Sequence, residues 1–208
     1  DLIAEWVEHL ASYKLNVLQL YMDGGFEFAS HPDIDAGAAR YTPEDLLALD
    51  RLCARHHIDL QPSLNSFGHA GRLLALPKYR SMAETGAGAS FCPTDPRTYA
   101  FLADLYADFL PLFRSGHFNA GCDEVFDLGQ GRSRPAARRI GVGALFANHV
   151  IKLQKLAARH GKRIQIWSDM ARQIPEVPDL LPPDITMLNW VYDRTGIPEH
   201  PWIFEGGR

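Results

Sequence analysis

No stretch of this sequence approaches the ~20 consecutive apolar residues that cross a bilayer as a helix, so none of it reads as a membrane span. There is no basic excess either. Lys and Arg total 21 against 25 Asp and Glu, which leaves no electrostatic footprint for nucleic acid. Cysteine is scarce: Cys53, Cys92 and Cys122 are odd in number and far apart, fitting neither a disulfide framework nor a zinc motif. Three reduced and mostly buried thiols are expected, and with them a reducing, cytoplasmic setting. A Walker or dinucleotide glycine pattern, a paired-histidine metal motif, an internal repeat and a low-complexity linker are missing as well. The sequence therefore asks for no cofactor and no metal, and residues 1–208 read as one domain or part of one.

What is present is a globular composition, 46% hydrophobic, enough for a sizeable core. Five short apolar runs stand out: Leu15 to Met22, Ile58 to Leu64, Phe118 to Cys122, Arg163 to Trp167 and Ile185 to Trp190. Each is nearly continuous, the pattern of a strand buried on both faces of a parallel sheet. Helical patterns lie between them. Thr42-Pro43-Glu44-Asp45 and Asp95-Pro96 supply a cap residue followed by proline at the first helical position. Residues 144–160 carry an apolar helical stripe that ends at Gly161. The opening DLIAEWVEHLASYK is an amphipathic helix rather than a signal peptide, and its abrupt start suggests that the true N-terminus lies upstream. Strand and helix in alternation imply an α/β fold, with polar clusters collected at the strand C-termini, where such folds assemble their sites.

Those clusters supply the candidates. HFNAGCDEV, residues 117–125, ends a strand with Asp123 and Glu124 side by side. On a regular strand they would face opposite ways, whereas a twist or bulge at the strand end can aim both at one pocket. The plainer alternative has Asp123 capping a following helix and Glu124 in solvent. His69 in NSFGHA and Asp23 in YMDGG end the two preceding runs; alone, the first suits a structural histidine and the second a turn. Trp167 and Trp190 end the last two runs and suit either the core or a platform for a sugar ring. Carboxylates beside aromatic walls favour neutral polyols over phosphates.

Taken in order, YKLNVLQLYMD, PSLNSFGH, HFNAGCDEVFDLGQG and QIWSDM resemble glycoside hydrolase family 20, the β-N-acetylhexosaminidases, particularly the hexosaminidase D-like branch. The similarity covers nearly the whole chain. It implies a (β/α)8 TIM barrel of which the five runs would be strands 2 to 6, leaving strands 1, 7 and 8 outside residues 1–208. It implies terminal β-linked N-acetylglucosamine or N-acetylgalactosamine in glycans as substrate, with the acetamido group of the sugar acting as nucleophile. Glu124 would then be the general acid/base and Asp123 the holder of the acetamido N–H. Asp23 and His69 would form a relay behind the acid, with Trp167 and Trp190 as walls and Tyr192 as a further substrate contact. In the family's His-x-Gly-Gly-Asp-Glu motif, Asn119 stands here in place of the His and Cys122 in place of the second Gly.

This division of roles asks for a protonated Glu124, either desolvated or placed near negative charge, and an ionised Asp123. Three other readings compete with it. An ordinary two-carboxylate retaining glycosidase would use Asp169 or another acid as nucleophile. A metal-dependent hydrolase would use His69, Asp123 and Asp169 as ligands. An incomplete barrel would be an inactive or sugar-binding fragment, able to self-associate through open sheet edges.

Overall fold

The structure, a computed structural model, describes residues 2–22 and 24–190. Asp23 and Tyr192 therefore lie outside the described residues. A first helix, α1 (Leu2–Ser12), leads to β1 (Val17–Gln19), α2 (Pro43–Arg55) and β2 (Asp59–Gln61). Then follow α3 (Gly71–Leu74), α4 (Pro96–Phe109), β3 (His117–Asn119), α5 (Arg134–Ile140) and α6 (Val142–Ala158). The described part ends with β4 (Arg163–Trp167), α7 (Asp169–Gln173), α8 (Val177–Leu180) and β5 (Thr186–Leu188).

All described strand pairs are parallel. β1 pairs with β2, and β3 with β4 and β4 with β5, in register. Between β2 and β3 the ladder runs just beyond the strand ends, where Asn119 N–H donates to Pro62 O (2.9 Å) and Leu64 N–H to Asn119 O (3.0 Å). Ser66 N–H donates to Ala120 O at 3.0 Å, one step further along. Spatial order thus follows chain order.

The helix starts are where the sequence places them. Thr42 and Asp45 close a reciprocal capping box on α2 with Pro43 behind it, and Asp95 accepts from Arg97 N–H to cap α4. Each such cap contributes roughly 1 kcal/mol. Helices pack on one face of the strands: Tyr106 of α4 meets Phe118 of β3 edge-on at 4.9 Å, and α6 buries Phe146, Val150 and Leu153.

The other face corrects the reading of the strands as apolar on both sides. Leu60, Phe118, Ile164 and Ile166 are buried, but so are the amides Gln61, Asn119 and Gln165 next to them. Gln19, Gln61, Asn119 and Gln165 form a belt across β1 to β4. Asn119 Nδ2 donates to Gln19 Oε1 (2.7 Å), and Gln19 Nε2 donates to Gln165 Oε1 (3.0 Å) and Gln61 Oε1 (3.4 Å). Amides suit this place, because each carries both a donor and an acceptor and can satisfy a neighbour without charge. Burial of such groups unpaired costs roughly 1–3 kcal/mol apiece, so the belt is viable only as a connected set.

Candidate active site

Immediately beyond the belt the chain leaves the sheet. β3 ends at Asn119, and Gly121, Cys122 and Glu124 all take left-handed backbone angles, with φ of 72°, 70° and 51°. For Cys and Glu this is an uncommon region that must be held by surrounding contacts. Asn119 holds the start of the turn, its Oδ1 accepting from Gly121 N–H at 2.8 Å. Glycine is required at 121 and at 68: a Cβ on Gly121 would strike the Asn65 side chain, and one on Gly68 the carbonyl oxygen of Asp123. The His69 loop and the Asp-Glu loop therefore meet backbone against backbone.

This turn resolves how adjacent carboxylates share a pocket. Asp123 and Glu124 are past the end of the strand, and neither caps a helix. His69, itself at φ 54°, sits between them, with Nε2 3.2 Å from Asp123 Oδ2 and 3.3 Å from Glu124 Oε2. The burial is uneven, however. The Asp123 side chain is 11% exposed and that of Glu124 40%. Burial pushes the Asp123 carboxyl up from its ordinary value; nearby His69 opposes this, while the charges of Asp169 and Glu124 add to it. Of the two conditions expected for Glu124, desolvation or a neighbouring negative charge, the geometry offers the second: the turn tucks Asp123 under Gly68 and leaves Glu124 facing outward beside it.

A third carboxylate backs the pair. Asp169, at the start of α7 and 3% exposed, accepts Glu124 N–H through Oδ2 at 2.9 Å. Among the described residues Asp169 Oδ1 and Asp123 Oδ1 are buried without a hydrogen-bond partner, as is the indole nitrogen of Trp167. The metal reading finds no support in this arrangement: among the described residues no three His, Cys, Asp or Glu side chains are grouped to hold an ion.

Trp167 closes β4, half-buried, with its ring 6.5 Å from that of Tyr21. The Tyr21 hydroxyl accepts from Asn65 Nδ2 at 3.1 Å, which ties this aromatic wall to the loop carrying His69. Trp190, beyond β5, lies under the Arg172 guanidinium at 5.9 Å.

Residues 1–199 match the model of glycosyl hydrolase family 20, catalytic domain. The chain belongs to this family. It is 26% identical over 203 residues to a beta-hexosaminidase of Akkermansia muciniphila, an alignment covering 79% of this chain and 40% of that protein. It is 25% identical over 160 residues to human Hexosaminidase D, covering 69% of this chain and 32% of the relative. Among solved structures, the Flavobacterium johnsoniae chitobiase superposes with a TM-score of 0.78 at 20% identity, over 91% of this chain and 31% of that one. The chain thus spans about a third to two-fifths of the length of these proteins. Its fold is that of the family 20 (β/α)8 barrel, of which the described residues form an α/β part.

Of the candidates named from the sequence, His69, Asp123 and Glu124 come together, and Trp167 and Trp190 end neighbouring strands. Asp23 and Tyr192 lie outside the described residues. Sequence reasoning did not single out Tyr21, although an aromatic two residues before Asp23 at a strand end was a signal of the same kind as Trp167. It treated Asn119 only as a departure from the family motif, and Asp169 only as a competing nucleophile or ligand. The partners that define these two residues, Gly121 N–H and Glu124 N–H, are set by backbone geometry that no residue pattern encodes.

Proposed function

We propose that this chain carries the acid-base centre of a retaining exo-β-N-acetylhexosaminidase, which releases terminal N-acetylglucosamine or N-acetylgalactosamine from glycans. The observation that carries the reading is the convergence of Asp123 and Glu124 on His69, with Asp123 buried and one of its oxygens unpaired. A buried carboxylate oxygen with no protein donor is a natural acceptor for the acetamido N–H of a substrate. Holding that N–H aims the acetamido carbonyl oxygen at C1 and stabilises the positive charge of the oxazolinium formed when it attacks. Glu124, the more exposed of the two, is placed to give its proton to the departing glycosidic oxygen. In the second half it takes a proton from the water that opens the ring at C1. His69 touches both acids, and Asp23 is its relay partner by family resemblance.

Asp169 does not suit the alternative role of nucleophile, since one of its oxygens is committed to Glu124 N–H and the side chain is almost wholly buried. In this reading the five strands are strands 2 to 6 of the barrel, Trp167 and Trp190 flank the sugar, and Tyr192 adds a contact. No cofactor enters the chemistry. The edge strands β1 and β5 expose Val17 and Met187, at 48% and 37%, and are the surfaces on which further strands or a second copy would pair.

The test is hydrolysis by the full-length protein of a fluorogenic N-acetylglucosaminide beside the matching glucoside. Strong preference for the N-acetyl sugar, with inhibition by a thiazoline mimic of the cyclised intermediate, is expected. Equal rates on the two substrates would replace substrate assistance with a two-carboxylate mechanism.

A further inference from the structure

Asp169 is not accounted for by the chemistry above, yet it is built into the site with care. It directly follows β4, whose Trp167 N–H donates to Gly121 O at 2.9 Å. Ser168, next to it, donates its N–H to Leu188 O at 2.9 Å and pairs its hydroxyl with the Asn189 side chain. The segment is therefore fastened to the strand on either side. From this fixed base Asp169 reaches the amide of Glu124, whose own backbone is left-handed at φ 51°. In that conformation the amide no longer takes part in a ladder, and Asp169 Oδ2 is its acceptor.

We infer that Asp169 is a positioning residue for the dyad: it pins the main chain of Glu124 in its outward turn and sets a fixed negative charge behind Asp123. The inference rests on the function proposed above. The groups facing this corner are His69 from the loop after β2, Cys122, Asp123 and Glu124 from the loop after β3, and Asp169 itself from α7. Arg172, further along α7, is turned to the ring of Trp190. His69 is thus the cationic candidate set directly against the acids, and it contacts Asp123 and Glu124. The Asp169 charge acts on Asp123 in the opposite direction to His69, raising its affinity for a proton. Asp169 thereby favours the protonated form of Asp123, and His69 the ionised form. Asparagine at 169 keeps an oxygen for Glu124 N–H but removes the charge, whereas alanine removes both.

The experiment is a pH titration of the Asp123 side-chain carboxyl by carbon-13 NMR in the full-length protein, its signal assigned by loss in Asp123→Asn, together with hydrogen exchange at the Glu124 amide. In Asp169→Asn the Asp123 midpoint should fall by about half a pH unit or more while the Glu124 amide stays protected. In Asp169→Ala that amide should exchange roughly tenfold faster or more. An unmoved midpoint in a folded Asp169→Asn protein, or unchanged exchange in Asp169→Ala, overturns the inference. In the active enzyme the acid limb of kcat/KM should move to lower pH in Asp169→Asn. If the parent protein lacks hexosaminidase activity, the proposed function fails, and the two NMR readouts still decide the role of Asp169.

Discussion

Two polar regions lie end to end on the same face of the sheet and differ in every respect that matters for chemistry. The amide belt of Gln19, Gln61, Asn119 and Gln165 is neutral, is linked by side-chain hydrogen bonds, and sits on regular strands. The rim formed by His69, Asp123, Glu124 and Asp169 is titratable, leaves two buried carboxylate oxygens unpaired, and presents His69 and Glu124 from left-handed backbone. A buried polar group is inert when its neighbours satisfy it and reactive when they do not. In this chain the first condition carries polar atoms into the interior, and the second leaves acceptors open at the rim.

Removing the rim acids should have the largest effect. Glu124→Gln is expected to lower turnover of substrates with poor leaving groups by ~10²-fold or more, while sparing activated aryl glycosides, which need less protonation. Asp123→Asn should impair both classes, because the acetamido group loses its orientation. Steady-state kinetics on paired aryl and disaccharide substrates separate the two patterns; equal losses on both classes in Glu124→Gln would remove it from the acid role. His69→Gln tests the pH side of the same rim. Asp123 must be ionised to act, so activity falls as pH drops through its raised pKa. His69 pulls that value down, so losing it should move the acid limb of kcat/KM to higher pH, opposite to Asp169→Asn.

The junction of the two regions is the next place to cut. Asn119 belongs to both: its Nδ2 joins the belt through Gln19, and its Oδ1 anchors Gly121 at the start of the catalytic turn. Asn119→Ala should cost about 1–3 kcal/mol in chemical denaturation, the usual penalty for leaving buried polar partners unpaired, and it should also lower kcat. Gln61→Met, in the belt but remote from the turn, should cost stability with little change in kcat. Equal kinetic losses in the two variants would erase the distinction between belt and rim.

How much of this was legible in the sequence follows the same boundary. Regular elements announce themselves: Thr42 and Asp95 mark helix starts, and the run Arg163 to Trp167 coincides with β4. The belt was misread as apolar because each short strand offers only one or two amides among hydrophobic neighbours, so its period of two is hard to see. The run Phe118 to Cys122 starts one residue late and ends three residues into the turn, since β3 covers His117 to Asn119. Positive φ at Cys122 and Glu124 has no residue signature; glycine would have announced it, and these residues do not. Identity of the acids was therefore legible, but which of them is buried was not.

The smallest expected effect concerns a histidine of the opposite kind to His69. His149 on α6 is fully buried behind the His69 loop, stacked on Phe67 at 3.8 Å, with Nε2 donating to Ser66 O (3.1 Å) and Nδ1 facing the Tyr99 hydroxyl (2.9 Å). It behaves like a member of the belt: burial lowers its pKa from 6.5 to about 3, so it is neutral at near-neutral pH. The sign follows directly. Between those values the unfolded chain binds a proton that the folded chain refuses, so stability is complete above pH 6.5 and is lost as pH falls toward about 3. The loss approaches about 1.4 kcal/mol for each unit within that window. His149→Gln, which has no such proton to refuse, should show a shallower decline of Tm between pH 6.5 and 4.5, even if it starts from a lower value at neutral pH. Parallel declines in the two proteins would mean that His149 does not stay neutral as the belt does, and that carboxylates held below their ordinary pKa, such as Asp95 between Arg97 and Arg132, carry the acid sensitivity instead.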